Sequence, residues 1–281
     1  MGLLKADKLM KRTLYYYSRR FNQGIREGVL IRLESGNGKI GWGEVAPLPS
    51  FSQETLDEAI RDLIEGNDST YPSVQWGQAA AMLDLLEPLE INTIPIRILE
   101  KEKVKIGHLT LQEAIKKVEK SDCSGVDMNQ KWELEEAMTF ASHFPNLDYF
   151  EEPLKPSENP SAFPHPVALD ESLRTGDTPP YPQIKMHVIK PMLHGYPLPK
   201  KVKGVDFILS SSYESELGIY QLAKLAYRLK IPLKPMGLGT CHLFEDSLFE
   251  EEPYYKNGNL HFPKEWRLKM DKLQVILDEC I

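Results

Sequence analysis

Five charged residues close short apolar runs at near-regular intervals: Lys105, Asp127, Glu151, Asp170 and Lys190. The gaps between them are 22, 24, 19 and 20 residues, room for one strand, one loop and one short helix. A parallel α/β barrel gathers the C-terminal ends of its strands on one face, where its chemistry sits. On this spacing the five side chains converge on one mouth. Neighbouring strands lie under about 5 Å apart, so three acids on successive strands can share one ion. Hard oxygen ligands with no His or Cys beside them point to Mg²⁺, with Mn²⁺ as a substitute. If Lys105 ends a second strand and Lys190 a sixth, the two lysines face each other across an eight-strand ring. A cation held by three carboxylates between opposed lysines suits removal of a proton next to a substrate carboxylate. The ion stabilises the enediolate charge and one lysine acts as base. Lys103 lies two residues before Lys105 and points to the same face, where its like charge disfavours the protonated neighbour.

Other candidates weigh less. A single Asp or Lys at a strand end is ordinarily a solvated loop residue, but surface charge does not explain five in this order. Glu152 and Glu171 adjoin the ligand candidates, either supporting them or simply exposed. The run Glu250-Glu251-Glu252-Pro253 lacks a preceding apolar strand and reads as a solvated acidic stretch. Cys241-His242 has no partner pair at zinc spacing. His108, His187 and His194 read as structural. Two Gly/Ser-rich stretches, Ser210 to Ser215 and Gly237 to Thr240, follow apolar runs. Exposed backbone N–H groups and helix N-termini hold anions. Ser211, Ser212, Gly237 and Gly239 are therefore candidates to bind a substrate carrying carboxylates, beside the alternative of ordinary barrel loops.

The elements that must position these residues follow from pattern. Leu14 to Tyr17, Gly28 to Leu33 and Lys39 to Val45 read as strands, the last two joined by the Asn37-Gly38 turn. A helix over Leu56 to Ile64 is expected to start from Ser50 or Ser52, and a second, through Trp76 to Leu86, from Ser73. Sheet then helices over residues 1–92 predict a separate α+β domain. Residues 93–248 read as the barrel. Its first strand is Ile94 to Leu99, its seventh Asp206 to Ser210 and its eighth Ile231 to Pro235. Thr110 with Glu113 forms a capping box, and Gly218 to Leu229 a clear helix. Residues 249–281 form a polar tail with an Asn257-Gly258 hairpin turn.

Composition narrows the function class. The chain has 281 residues, 41% hydrophobic and 27% charged, with a formal net charge of −7. That balance argues against nucleic acid or an anionic membrane as partner. Three widely spaced cysteines predict a reducing compartment without disulfides. With no signal-peptide pattern at Met1 to Arg12 and no long apolar stretch, the expected location is cytoplasmic. Nothing in the sequence fixes the oligomeric state.

The motifs resemble the enolase superfamily, and within it the o-succinylbenzoate synthase family of menaquinone biosynthesis. Lys-x-Lys at 103–105, Asp-x-Asn at 127–129, Glu-Glu-Pro at 151–153, Asp-Glu-Ser at 170–172 and Ile-Lys-Pro at 189–191 stand in that family's order. Gly41 to Pro49, Phe51-Ser52-Gln53-Glu54-Thr55 and Ser210 to Gly218 resemble the synthases too. The resemblance implies a modified (β/α)7β TIM-type barrel with an N-terminal α+β capping domain, and a C-terminal tail that returns to the cap. It implies that Asp127, Glu151 and Asp170 bind Mg²⁺, that Lys105 is base and then acid, and that Lys190 stabilises the enolate. Lys103, Asn129, Phe51 and Ser52 join the serine and glycine pairs as substrate-binding candidates. The implied reaction dehydrates a small dicarboxylate, 2-succinyl-6-hydroxy-2,4-cyclohexadiene-1-carboxylate, to 2-succinylbenzoate. Gly125 stands where some relatives have Arg, and short units between strands imply trimmed helices. An N-acylamino acid racemase or dipeptide epimerase of the same superfamily is the rival reading. Against it, Gly237-Leu238-Gly239-Thr240 replaces the acidic motif expected of epimerases. A non-catalytic scaffold leaves the paired lysines unexplained.

Overall fold

The computed structural model describes residues 10–22, 24–66, 68–98, 102–174, 178–231 and 234–281. Three strands open the chain as an antiparallel meander: β1 (Lys11–Phe21), β2 (Gly24–Glu34) and β3 (Ile40–Val45). The first two far outrun the apolar stretches that predict them, with pairing that extends from Lys11↔Glu34 to Phe21↔Gly24. Their outer ends are polar, so hydrophobic pattern alone stops short. Two helices cover this sheet, α1 (Leu56–Glu65) and α2 (Pro72–Leu86). Neither starts where expected. Thr55 caps α1 in a capping box with Glu58, while Ser50 and Ser52 lie in the preceding loop. Tyr71 precedes α2, Pro72 opens it, and Ser73 instead donates its N–H to the Glu54 carboxylate at 2.9 Å. Pro at the first helical position sacrifices no hydrogen bond. The helix α2 lies directly on β3: a Cβ at Gly43 would sit 2.0 Å from the Gly77 carbonyl oxygen. Leu14, Val29, Ile31, Leu63, Val74 and Ala81 fill the space between sheet and helices.

Eight parallel strands then form the barrel. They are β4 (Thr93–Ile98), β5 (Lys103–Lys105), β6 (Gly125–Asp127), β7 (Tyr149–Glu151), β8 (Val167–Leu169), β9 (Ile184–Ile189), β10 (Asp206–Leu209) and β11 (Met236–Gly239). The run β5 to β10 is one parallel sheet in sequence order. A Ser210↔Gly237 bridge carries it on to β11, which pairs in parallel with β4. The eighth strand is not Ile231 to Pro235, of which 232–233 fall outside the described residues. It begins at Met236, after Pro235, because prolines cannot donate to a ladder. Between strands lie α3 (Leu111–Glu119), α4 (Leu134–His143), the four-residue α5 (Pro191–His194) and α6 (Glu216–Arg228). Among the described residues, single 3-10 turns, Pro160–Ala162 and Glu171–Arg174, follow β7 and β8. The trimmed helices implied by the short spacings are present as such. The Thr110–Glu113 capping box opens α3 as expected.

The tail divides its pairing. The hairpin β12 (Tyr254–Lys256) and β13 (Asn259–His261) adds to the barrel, with β13 antiparallel to β4. Only the last strand, β14 (Leu273–Cys280), returns to the cap sheet, where it pairs with β1. Two buried ion pairs also tie cap to barrel, Arg19–Glu216 at 2.8 Å and Lys224–Asp84 at 2.5 Å. No helix among the described residues is long and apolar enough to cross a membrane.

Candidate active site

Strand register brings the acids together. Lys105, Asp127 and Glu151 are direct neighbours across β5, β6 and β7. Asp170 follows the last residue of β8 and Lys190 the last of β9. A cavity of about 350 Å³ opens over these strand ends. Its walls alternate along each strand, so that Lys103 and Lys105, Tyr149 and Glu151, and Val188 and Lys190 face inward as pairs. The cap roofs it with Leu48, Pro49 and Phe51, and the loop after β10 adds Ser211 to Tyr213.

The charges at the mouth are tightly interlocked. Asp127, Glu151 and Asp170 are each at most 2% exposed. Lys103 Nζ reaches Glu151 Oε1 at 2.7 Å and Asp127 Oδ2 at 3.5 Å. Lys190 Nζ donates to Asp170 Oδ2. Lys105 is the least committed, 3.9 Å from Asp127 Oδ2 with a third of its side chain exposed. Burial, joined by repulsion from Asp127 and Asp170, pushes the Glu151 carboxyl up to about 8 against the pull of Lys103. Burial also works against the charge on Lys103, but Glu151 and Asp127 outweigh it and hold that ammonium well above its ordinary value. Asp170 lies below its ordinary value because Lys190 more than offsets the effect of burial.

These residues fit a hard divalent cation in type and in burial. Every donor is a carboxylate oxygen, and Asp170 Oδ1 and Glu171 Oε2 are buried without a hydrogen-bond partner. In the arrangement seen here lysine ammoniums meet Asp127 Oδ2, Glu151 Oε1 and Asp170 Oδ2, while Asp127 Oδ1 accepts from the Asn129 N–H at 3.1 Å. No three of the described His, Cys, Asp or Glu side chains form a ready metal cage. Lys103 is thus paired to the acids, not a bare like charge beside Lys105.

Residues 10–85 match the family described as MenC, N-terminal domain. An o-succinylbenzoate synthase of Yersinia pestis is 29% identical over 303 residues, covering 86% of this chain and 93% of that one. One from Yersinia pseudotuberculosis matches with the same identity and coverage. Over most of its length the chain is similar to o-succinylbenzoate synthases. Among solved structures, the o-succinylbenzoate synthase from Thermosynechococcus elongatus BP-1, complexed with Mg in its active site, superposes with a TM-score of 0.65. It is 20% identical and the match covers 85% of this chain and 95% of that one. Muconate lactonizing enzyme from Klebsiella pneumoniae superposes at 0.71, with 14% identity and coverage of 95% and 98%. At these identities the structural likeness is one of fold.

The synthase-like motifs do not all lie where the sequence reading sends them. Lys103, Lys105, Glu151 and Lys190 line the cavity, as do Phe51, Ser211, Ser212, Gly237 and Gly239. Asp127 and Asp170 lie buried within reach of the lysines. Asn129 turns aside to Glu171, its Nδ2 at 3.4 Å from Oε1. Ser52 lies in the cap loop, its hydroxyl accepting from the Leu48 N–H at 2.8 Å. The expected free amides after β10 are already taken. Ser211 N–H donates to the Gly237 carbonyl, Ser212 N–H to Glu214 and Tyr213 N–H to the Ser211 hydroxyl. The N-terminus of α6 holds an anion of the protein's own: Glu44 accepts from the N–H groups of Ser215 and Gly218, each at 2.9 Å. At Gly125 a Cβ would meet the Tyr149 ring at 2.3 Å, so this tyrosine occupies the space a larger residue would need.

Several contributors escape sequence pattern. Glu152 is buried and accepts from Asp170 N–H at 2.8 Å, Ser172 N–H at 2.7 Å and Gln130 Nε2 at 3.0 Å. It fixes the backbone that carries Asp170, from a strained φ of 43°. Arg26, 2% exposed, donates to the carbonyls of Ala46 and Pro47 in the cap and of Ser212 and Tyr213 in the barrel loop. The signal for both was charge beside a motif, which sequence alone cannot tell from a solvated face.

Proposed function

We propose that this protein is an o-succinylbenzoate synthase, dehydrating 2-succinyl-6-hydroxy-2,4-cyclohexadiene-1-carboxylate to 2-succinylbenzoate in the cytoplasm. The observation that carries the reading is two lysines from strand ends four apart in the ring, set about three buried carboxylates at one mouth. Relatedness to the synthases along most of the chain supports the choice of substrate. A divalent cation, Mg²⁺ or Mn²⁺, held by Asp127, Glu151 and Asp170 would supply positive charge against the charge developing on the substrate carboxylate.

The chain's own residues do the rest. Lys105, the lysine with the weakest tie, takes the proton from C1 in its neutral form. The electron pair left at C1 forms the C1–C6 double bond as the C6–oxygen bond breaks. The Lys105 ammonium returns its proton to the departing hydroxide, so water leaves and the ring becomes aromatic. Lys190 keeps its positive charge on the opposite side, since Asp170, offsetting burial, holds its ammonium above its ordinary value. Phe51 and Leu48 from the cap shield the reacting ring from water.

The test is a dehydration assay with Mg²⁺, followed by the ultraviolet change on aromatisation and repeated with chelator and with Lys105→Ala. Turnover should require the metal and fall by about 10³-fold or more in the variant, which should still bind Mg²⁺. Full activity in Lys105→Ala would sink the role of that residue. The opposed lysines also suit proton exchange from two faces. Racemisation of N-acylated amino acids without dehydration would therefore move the chain to the racemase branch.

A further inference from the structure

The cavity wall carries five cationic side chains: Arg26, Arg97, Lys103, Lys105 and Lys190. Four are engaged. Lys103 and Lys190 hold acids, Lys105 lies near Asp127, and Arg26 is wrapped in backbone carbonyls. Arg97, on β4, differs. Its guanidinium lies over the Tyr149 ring, 4.9 Å from the centroid. Among the described residues it pairs with no carboxylate. Tyr149 stands two residues before Glu151 on the same face of β7, so Arg97 reaches the layer beneath the acids. Gly125 leaves that ring the room to lie there.

The backbone amides after β10 that a substrate anion could use are consumed, those of Ser211 to Tyr213 internally and those of Ser215 and Gly218 by Glu44. We propose that Arg97 anchors the second carboxylate of the substrate at the floor of the cavity, with Tyr149 holding the guanidinium flat beneath it. This rests on the synthase reading, in which that carboxylate ends the succinyl chain while the ring carboxylate stays at the metal-binding acids. An arginine fork pairs two N–H groups with one carboxylate and fixes its orientation, which a lysine does not. A ring face fixes the plane of that fork without neutralising it.

The experiment is calorimetric binding to the full-length, Mg²⁺-loaded protein of two ligands, 2-succinylbenzoate and 2-butyrylbenzoate. The second replaces the chain carboxylate with a methyl group. Wild-type protein should prefer the first by about 10- to 100-fold. Arg97→Met should abolish the preference by weakening only the succinyl ligand, and Arg97→Lys should keep part of it. In turnover, Arg97→Met should raise KM more than it lowers kcat. An undiminished preference in Arg97→Met, or equal weakening of both ligands, overturns the inference and leaves the synthase reading standing. Wild type that binds 2-succinylbenzoate without preferring it does the same. Wild type that neither binds nor forms 2-succinylbenzoate overturns the synthase reading and this inference with it. If Arg97→Met fails to fold, the wild-type preference and its partial loss in Arg97→Lys decide the matter.

Discussion

Two groups of buried carboxylates lie close together in this molecule and are satisfied in opposite ways. At the seam between cap and barrel, Glu44 is met by fixed donors. Tyr17 Oη lies at 2.5 Å, and the N–H groups of Ser215 and Gly218 and the Ser215 hydroxyl complete the set. At the mouth, Glu151 and Asp170 rely on ammonium groups at the ends of flexible side chains, Asp127 has one backbone donor, Asn129 N–H, beside its lysine contacts, and Asp170 Oδ1 has no donor. Backbone amides cannot leave a carboxylate without unfolding, whereas a lysine can rotate away. The seam is therefore suited to hold two domains in register, and the mouth to exchange one cation for another.

That contrast can be broken first at the seam. Glu44→Ala leaves at least two buried N–H groups without an acceptor, each costing about 1–3 kcal/mol. We expect a loss of about 3–4 kcal/mol in denaturant unfolding. An unchanged midpoint would mean that the donors find other partners and that the seam is not the fixed cluster described above.

The mouth should answer to a different perturbation. Saturating Mg²⁺ should raise the thermal midpoint of the wild type by about 5 °C, because binding only the folded state stabilises it. Chelator should reverse the rise, and Asp170→Asn should remove it. An equal rise in Asp170→Asn would place the ion away from these acids. Glu44→Gln serves as the control at the seam, where the Mg²⁺ increment should persist.

Glu152 joins the two modes, since it uses backbone donors to hold a residue of the mouth. Replacing it by Gln substitutes a neutral acceptor for a charged one at Asp170 and Ser172. Stability should fall by about 1–2 kcal/mol, and Mg²⁺ affinity several-fold, by titration calorimetry. Loss of stability with affinity untouched would confine Glu152 to the fold.

The same contrast explains what the sequence disclosed. The mouth was legible because strand-end chemistry repeats: a short apolar run, then a charge, at intervals one βα unit long. The barrel and the antiparallel cap sheet followed from that and from turn chemistry at Asn37-Gly38. Helix starts were misplaced because Ser50, Ser52 and Ser73 offered plausible caps, although the signals that win are local too: Thr55 forms a capping box with Glu58, and Pro72 stands at the first helical position. The seam was hidden altogether. Arg26 and Glu44 find their partners in the barrel some 170 to 190 residues away, a separation that leaves no periodic trace. The occupied N-terminus of α6 is hidden for the same reason, since the acid that fills it comes from β3.

The smallest effect expected tests a seam member that is only partly satisfied. Glu214 is fully buried; its Oε2 accepts from Ser212 N–H at 2.6 Å, but Oε1 has no partner. Burial raises its carboxyl above the ordinary 4.5, and the nearby charge of Glu44 raises it further. The folded state then binds more protons than the unfolded chain in the window from 4.5 up to the raised value. Stability must fall as pH rises through that window and return on acidification. Glu214→Gln keeps an acceptor for Ser212 and removes the charge. Its midpoint should exceed that of the wild type at pH 7, by no more than about 3 °C. The advantage should shrink as pH falls and vanish below 4.5, where the wild-type carboxyl is protonated in both states. A gap that stays constant from pH 7 to pH 4 would assign the gain to packing, and the seam would then be as fully satisfied at Glu214 as it is at Glu44.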